Sequence, residues 1–224
     1  MRITEFRNGL AAEKLVFYAT LLILLFISLT GSSNAQDDTR VSATWRVNRY
    51  DISATLPQAE TDRSLSAKAK LDLTNVSARP ATTLTLRISP AAEITAVSVN
   101  GITADFTKGE EKVGTGSLQR IAVRVPPVQA GGSLSTTVDY KINVKENSGL
   151  SAISQNGSQF LPLSFWYPTP NSWYFARGGD YAPFHLQVTA GGQTVVSSGT
   201  ETGGAFDEKF RGQPFFVTGS WEKV

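Results

Sequence analysis

The chain has 224 residues, of which 41% are hydrophobic and 18% charged, with 21 Lys and Arg against 19 Asp and Glu and no cysteine. Basic residues scattered among acidic ones build no concentrated face for phosphates, which argues against nucleic acid as a partner. The lack of cysteine excludes disulfide staples, thiol nucleophiles and Cys-bound zinc or iron–sulfur clusters, and a single histidine cannot furnish the two or three imidazoles on which a catalytic zinc site ordinarily draws.

Arg2, Arg7 and Lys14 precede an apolar run from Leu15 to Leu29, and Gly31-Ser32-Ser33-Asn34-Ala35 places small residues at both specificity positions of a cleavage site. This is the pattern of a signal peptide over residues 1–35, cut before Gln36. The run of 15 residues would form a helix about 22 Å long, short of the roughly 30 Å hydrocarbon core, so a leader is expected in preference to an uncleaved membrane anchor. Export to the periplasm or the extracellular space follows. The remaining 189 residues, 36–224, carry 18 basic and 17 acidic side chains and suffice for one well-cored domain.

Beyond the leader the dominant signal is period-two alternation, the mark of half-buried strands. Leu65, Ala67, Ala69, Leu71 and Leu73 alternate with Ser66, Lys68, Lys70 and Asp72; Leu84, Leu86 and Ile88 alternate with Thr83, Thr85 and Arg87. Asn100-Gly101 lies between Val97-Ser98-Val99 and Ile102-Thr103-Ala104, a two-residue hairpin signal because a type I′ turn needs positive φ at both central positions. Ile121, Val123 and Val125 make the next strand. Pro126-Pro127 and Gly131-Gly132 then bracket a predicted loop. From Leu134 to Lys145 one face is Leu134, Thr136, Val138, Tyr140, Ile142 and Val144. The polar stretch 146–158 reads as a long loop. Phe184 to Val188 and Thr194 to Val196 are strands separated by Gly191-Gly192. No helical periodicity occurs outside the leader, so the fold class is all-β, an antiparallel β-sandwich.

The candidate chemistry is sparse. His185 alternates with the apolar Phe184 and Leu186, which predicts a hydrogen-bonded surface or interface imidazole. A Ser-His-Asp triad would need a strained elbow such as Gly-x-Ser-x-Gly, and none is present. Gly114-Thr115-Gly116 lacks the third glycine and the helix of a nucleotide loop and reads as a hairpin tip. Glu110-Glu111 and Asp207-Glu208 are expected to be solvated loop charges. Eight aromatic rings fall between Phe160 and Tyr181, among them Trp166, Tyr167, Trp173 and Tyr174. Such rings serve either as core or as a surface that packs on another domain or stacks on sugars, and packing on another domain is the expected use.

The order of motifs resembles the amino-terminal β-domain of the zinc aminopeptidases of peptidase family M1 (membrane alanyl aminopeptidase-like). The likeness runs over about 47–221: Arg49-Tyr50-Asp51-Ile52, Asn100-Gly101, Gly131-Gly132 before the Leu134–Tyr140 strand, Trp166-Tyr167-Pro168, Gly178-Gly179-Asp180-Tyr181-Ala182-Pro183-Phe184-His185-Leu186-Gln187-Val188, and Val195-Val196-Ser197-Ser198-Gly199. The resemblance implies a saddle-shaped sandwich that packs on a thermolysin-like catalytic domain and walls its peptide cleft. Ser158-Gln159-Phe160-Leu161 resembles the Thr-Gln-Phe-Glu-like stretch that lines the substrate pocket in some members, which makes Gln159 the pocket candidate; Leu161 stands where the family has an acid. Trp166, Tyr167, Trp173 and Tyr174 are expected nearest that interface.

The family's peptide-binding Gly-x-Met-Glu-Asn and zinc-binding His-Glu-x-x-His are absent from these 224 residues. The expectation is a non-catalytic domain truncated before its catalytic partner, with zinc held only by that partner, in cis or in trans, and peptide met only through it. The alternative from a different class is a stand-alone secreted sandwich that binds glycan or protein with the same rings.

Overall fold

The structure, a computed structural model, describes residues 43–59, 61–113, 116–170 and 180–222, all within the unit Val41–Val224. The leader, the Gly114-Thr115 tip and the candidates Trp173 and Tyr174 lie outside the described residues.

Among the described residues fifteen strands form three sheets, and one 3-10 turn, Pro162–Ser164, is the only helical element. The large sheet has β1 (Trp45–Thr55), β2 (Ser64–Asn75), β4 (Ala92–Val99), β5 (Ile102–Thr103), β8 (Ser133–Asn143), β11 (Ala182–Thr189), β13 (Thr200–Thr202) and β14 (Ala205–Gly212), in the order β13-β14-β11-β1-β2-β8-β4-β5. A second sheet has β3 (Ala81–Ile88), β7 (Gly116–Val128) and β6 (Phe106–Val113), with β7 central. The third has β12 (Thr194–Val196), β15 (Phe216–Gly219), β10 (Gln159–Phe160) and β9 (Ser151–Ala152), in the order β12-β15-β10-β9. All pairings are antiparallel except β1 with β11, which run parallel with Tyr50 opposite Phe184 and Ile52 opposite Leu186. The architecture is the expected all-β one, with this single parallel seam.

The alternation read from the sequence is the alternation of burial. Leu65, Ala69, Leu71 and Leu73 are buried while Ser66, Lys68 and Lys70 are exposed, and Leu134, Thr136, Val138, Tyr140 and Ile142 are buried on β8, paired residue for residue with β2. One apolar core joins all three sheets through Tyr50, Leu71, Leu84, Ile121, Phe160 and Phe216. Asn100 and Gly101 turn β4 into β5 with φ of 51° and 80°, the left-handed pair a type I′ hairpin requires.

Two local readings are corrected, and the structure adds a bulge. Pro126 and Pro127 lie inside β7, where the register with β3 jumps from Val128 opposite Ala81 to Arg124 opposite Thr83; a proline cannot donate to the ladder, and a bulge removes that need. The 146–158 stretch contains β9, which pairs with β10. Strand β1 changes the parity of its inward face between Val47 and Arg49, because Asn48 is an extra residue against β2.

Candidate functional site

The described candidates Gln159, Trp166 and Tyr167 lie on β10 of the small β9-β10-β15-β12 sheet and just after the turn that follows it. Leu161 leads into the Pro162–Ser164 turn, whose last carbonyl-to-amide closure runs from Phe165 N–H to Pro162 O at 3.0 Å. Phe165 caps the turn at φ 52°, a left-handed conformation uncommon for a bulky residue. Its carbonyl accepts from Ser89 N–H at 2.8 Å, which helps hold that geometry. The reversal sends Trp166 and Tyr167 inward.

There they join a continuous file of rings. Phe160 and Phe216 stand 5.3 Å apart, Trp166 meets Phe216 edge-on at 5.3 Å, Tyr167 meets Trp166 at 5.2 Å, and Tyr50 meets Tyr167 at 5.3 Å. Edge-to-face contact suits the ring quadrupoles. Each of these five rings is at most 1% exposed, and Trp166 Nε1–H donates to Pro214 O at 3.1 Å. Trp166 and Tyr167 therefore present no ring face at the surface of this chain. The surface role expected of them gives way to the core role, because their contacts stitch the small sheet to the large one.

Gln159 remains partly accessible. Its backbone pairs with Ala152 on one side and Val217 on the other, and its amide nitrogen donates to Gly149 O at 2.8 Å and Ser148 O at 3.4 Å. Its Oε1 accepts no hydrogen bond from the described residues and is a free acceptor beside loop 146–150. Neighbouring Ser158 is tied to Thr218, whose Oγ1 accepts from Ser158 N–H at 2.9 Å, so the segment before Gln159 is fixed.

Burial dominates the ionisable groups of the core. It raises the phenols of Tyr50 and Tyr140 well above their ordinary range, with the neighbouring Tyr167 adding to both; burial raises Tyr167 likewise, with Asp180 next in effect. These three are neutral structural rings, not proton carriers.

His185 sits half-buried on the outer face of the large sheet, with Nδ1 3.0 Å from Asp207 Oδ1, and Arg49 Nη2 lies 3.7 Å from the same oxygen. Its cross-strand neighbours are Asp51 and Asp207, so no hydroxyl stands opposite the imidazole to act as a nucleophile. The hydrogen-bonded surface histidine expected from the alternation is what the structure shows. The acidic pairs differ from expectation: Asp207 and Glu208 lie on β14, and Glu111 lies on β6 in a pair with Arg87. The phase of the alternation pointed inward for the neighbours of Arg87 but carried no sign of its partner, which arrives from another strand.

The one imidazole is committed to Asp207, and no group of three metal-ligating side chains occurs among the described residues. No helix among the described residues is long and apolar enough to cross a membrane.

No family profile and no curated protein matches the chain. Solved structures do. An M1 zinc metallopeptidase from Deinococcus radiodurans superposes with a TM-score of 0.55 at 18% identity, over 79% of this chain and 42% of that one. A two-domain M1 zinc metallopeptidase mutant bound to L-arginine gives 0.59 at 16% identity, over 80% of this chain and 43% of that one. Leukotriene A4 hydrolase from Saccharomyces cerevisiae gives 0.57 at 14% identity, over 87% of this chain and 32% of that one. The shared fold is the one the motif order implied, that of the M1 amino-terminal β-domain. The chain spans less than half the length of each of these proteins.

Proposed function

We propose that this chain is the non-catalytic amino-terminal sandwich of an exported zinc-aminopeptidase-like protein, which docks on a catalytic domain and shapes its peptide cleft. The observation that carries the reading is the asymmetry of coverage: 79% of this chain accounts for only 42% of the Deinococcus radiodurans peptidase, so the shared fold leaves out more than half of a working enzyme. Zinc and its activated water belong to the missing portion in this reading, supplied in the same polypeptide or in trans, and peptide meets this chain only through it.

Gln159 is the residue proposed to reach the cleft. A peptide's free amine is an ammonium donor with no lone pair to offer, so it needs an acceptor, and the unengaged Oε1 of Gln159 is one. Because position 161 is leucine, no carboxylate reinforces that contact from this segment. Trp173 and Tyr174 remain proposed neighbours of the interface, whereas Trp166 and Tyr167 would act by anchoring the small sheet beneath it. The leader over 1–35 is proposed to direct export and to be removed before Gln36.

Purified chain assayed with aminoacyl-anilides and zinc is expected to show no turnover. Chelator-sensitive release of the aniline by this chain alone would refute the reading.

A further inference from the structure

We infer that the cleft where the loop after β1, the loop after β8 and the loop after β11 converge is a binding site for a polar ligand bearing a carboxylate or phosphate, with Arg63 as its counter-ion. The cleft measures about 860 Å³, within the usual range for small-molecule sites. Its floor is the buried pair Leu56 and Ile153, and its walls carry the amides of Gln58, Asn147, Gln155 and Gln193. It is built wholly from this chain and does not depend on a peptidase partner.

Arg63 is the feature that favours a ligand of this class. Its side chain is half-buried at the wall of the cleft, yet none of its nitrogens lies within ion-pairing distance of a carboxylate among the described residues. The adjacent Asp62, which also lines the cleft, makes no ion pair with it and accepts from Ser64 Oγ–H at 2.5 Å. Arg63 Nη2 donates to Asn147 Oδ1, a neutral acceptor that is itself fixed by accepting Ile153 N–H at 3.1 Å. Nε–H is shielded from solvent and has no acceptor among the described residues.

A guanidinium N–H removed from water, as Nε–H is here, is ordinarily given an acceptor, because its desolvation is otherwise uncompensated. Here a neutral amide orients the planar group, and no carboxylate among the described residues is paired with it. An oxyanion supplies the missing acceptor and charge together, and guanidinium suits carboxylate and phosphate geometry alike. The unengaged amides of Gln58 and Gln155 are then placed for the ligand's other polar groups.

The test is an NMR titration of the purified chain, reading the Arg63 Nε–H and Asn147 side-chain resonances. Inorganic phosphate and succinate are added in separate arms, with ionic strength held constant by chloride. A saturable shift in either arm supports the site, and the arm that saturates at lower concentration assigns the class. Arg63→Gln should abolish saturation, read on Asn147. If that variant does not fold, Arg63→Lys, which keeps the charge without the fork, should weaken the binding about tenfold. No saturable shift in either arm, or unchanged saturation in the folded variant, would overturn the proposal.

Discussion

Arg87 on β3 reaches across the central strand β7 to Glu111 on β6, its Nε–H donating to both carboxylate oxygens at 2.8 and 2.9 Å. Arg87 Nη1 also donates to Pro170 O at 2.6 Å, and its backbone exchanges two hydrogen bonds with Thr169. One arginine thus ties both edges of the three-stranded sheet to the segment that follows Trp166 and Tyr167.

The pair's side chains are only 19% and 23% exposed, so it lies between a surface ion pair, worth under about 1 kcal/mol, and a buried one, whose disruption costs about 3–5 kcal/mol. Arg87→Ala should cost about 2 kcal/mol, and Glu111→Gln should cost less because the glutamine Oε1 can still accept from Arg87 Nε–H. Urea unfolding would show the midpoint fall at unchanged slope.

Trp166→Ala should cost about 3–5 kcal/mol, since it opens a cavity between Phe216 and Tyr167 and leaves the Pro214 carbonyl without its donor. A surface platform residue would cost under about 0.5 kcal/mol on the same substitution. Thermal melts of the purified variant distinguish the two.

The buried phenols set an alkaline limit. Tyr50, Tyr140 and Tyr167 have folded-state values raised above the ordinary 10.0, so the fold favours their neutral forms. Their contribution is fully present below pH 10 and is lost above it, as the unfolded chain releases protons that the fold retains. Melting temperature should therefore fall from about pH 10 upward. The hydroxyls of Tyr50 and Tyr140 have no hydrogen-bond partner among the described residues. Tyr140→Phe should thus leave stability at pH 7 within about 1 kcal/mol of the parent and flatten the alkaline fall.

Gly101→Ala isolates a purely conformational cost. A methyl group there meets nothing within 4 Å, but φ is 80°. The expected loss is about 1–2 kcal/mol, measured by denaturant unfolding, with Asn100 able to stay left-handed at φ 51°.

The strands were legible because each buries one face and the side-chain period is two. The Leu134–Val144 alternation maps onto β8 without a slip. The bulge at Asn48 was legible in principle, since the apolar positions change from Trp45 and Val47 to Tyr50, Ile52 and Ala54. Pro126-Pro127 misled because proline in a central strand is tolerated only at a bulge, which depends on the partner strand. The aromatic block was ambiguous for a different reason: burial depends on where the left-handed Phe165 turns the chain, and no glycine marks that turn. Arg63 and Arg87 carried no local signal either, because Asn147 and Glu111 are distant in sequence.

The most direct test is to isolate the native protein from its source with an antibody against the sandwich and to identify by mass spectrometry what carries it. A polypeptide or stoichiometric complex containing a His-Glu-x-x-His zinc domain is the expected result. Recovery of the sandwich alone, on a chain of no more than 224 residues with no such partner, would contradict the account.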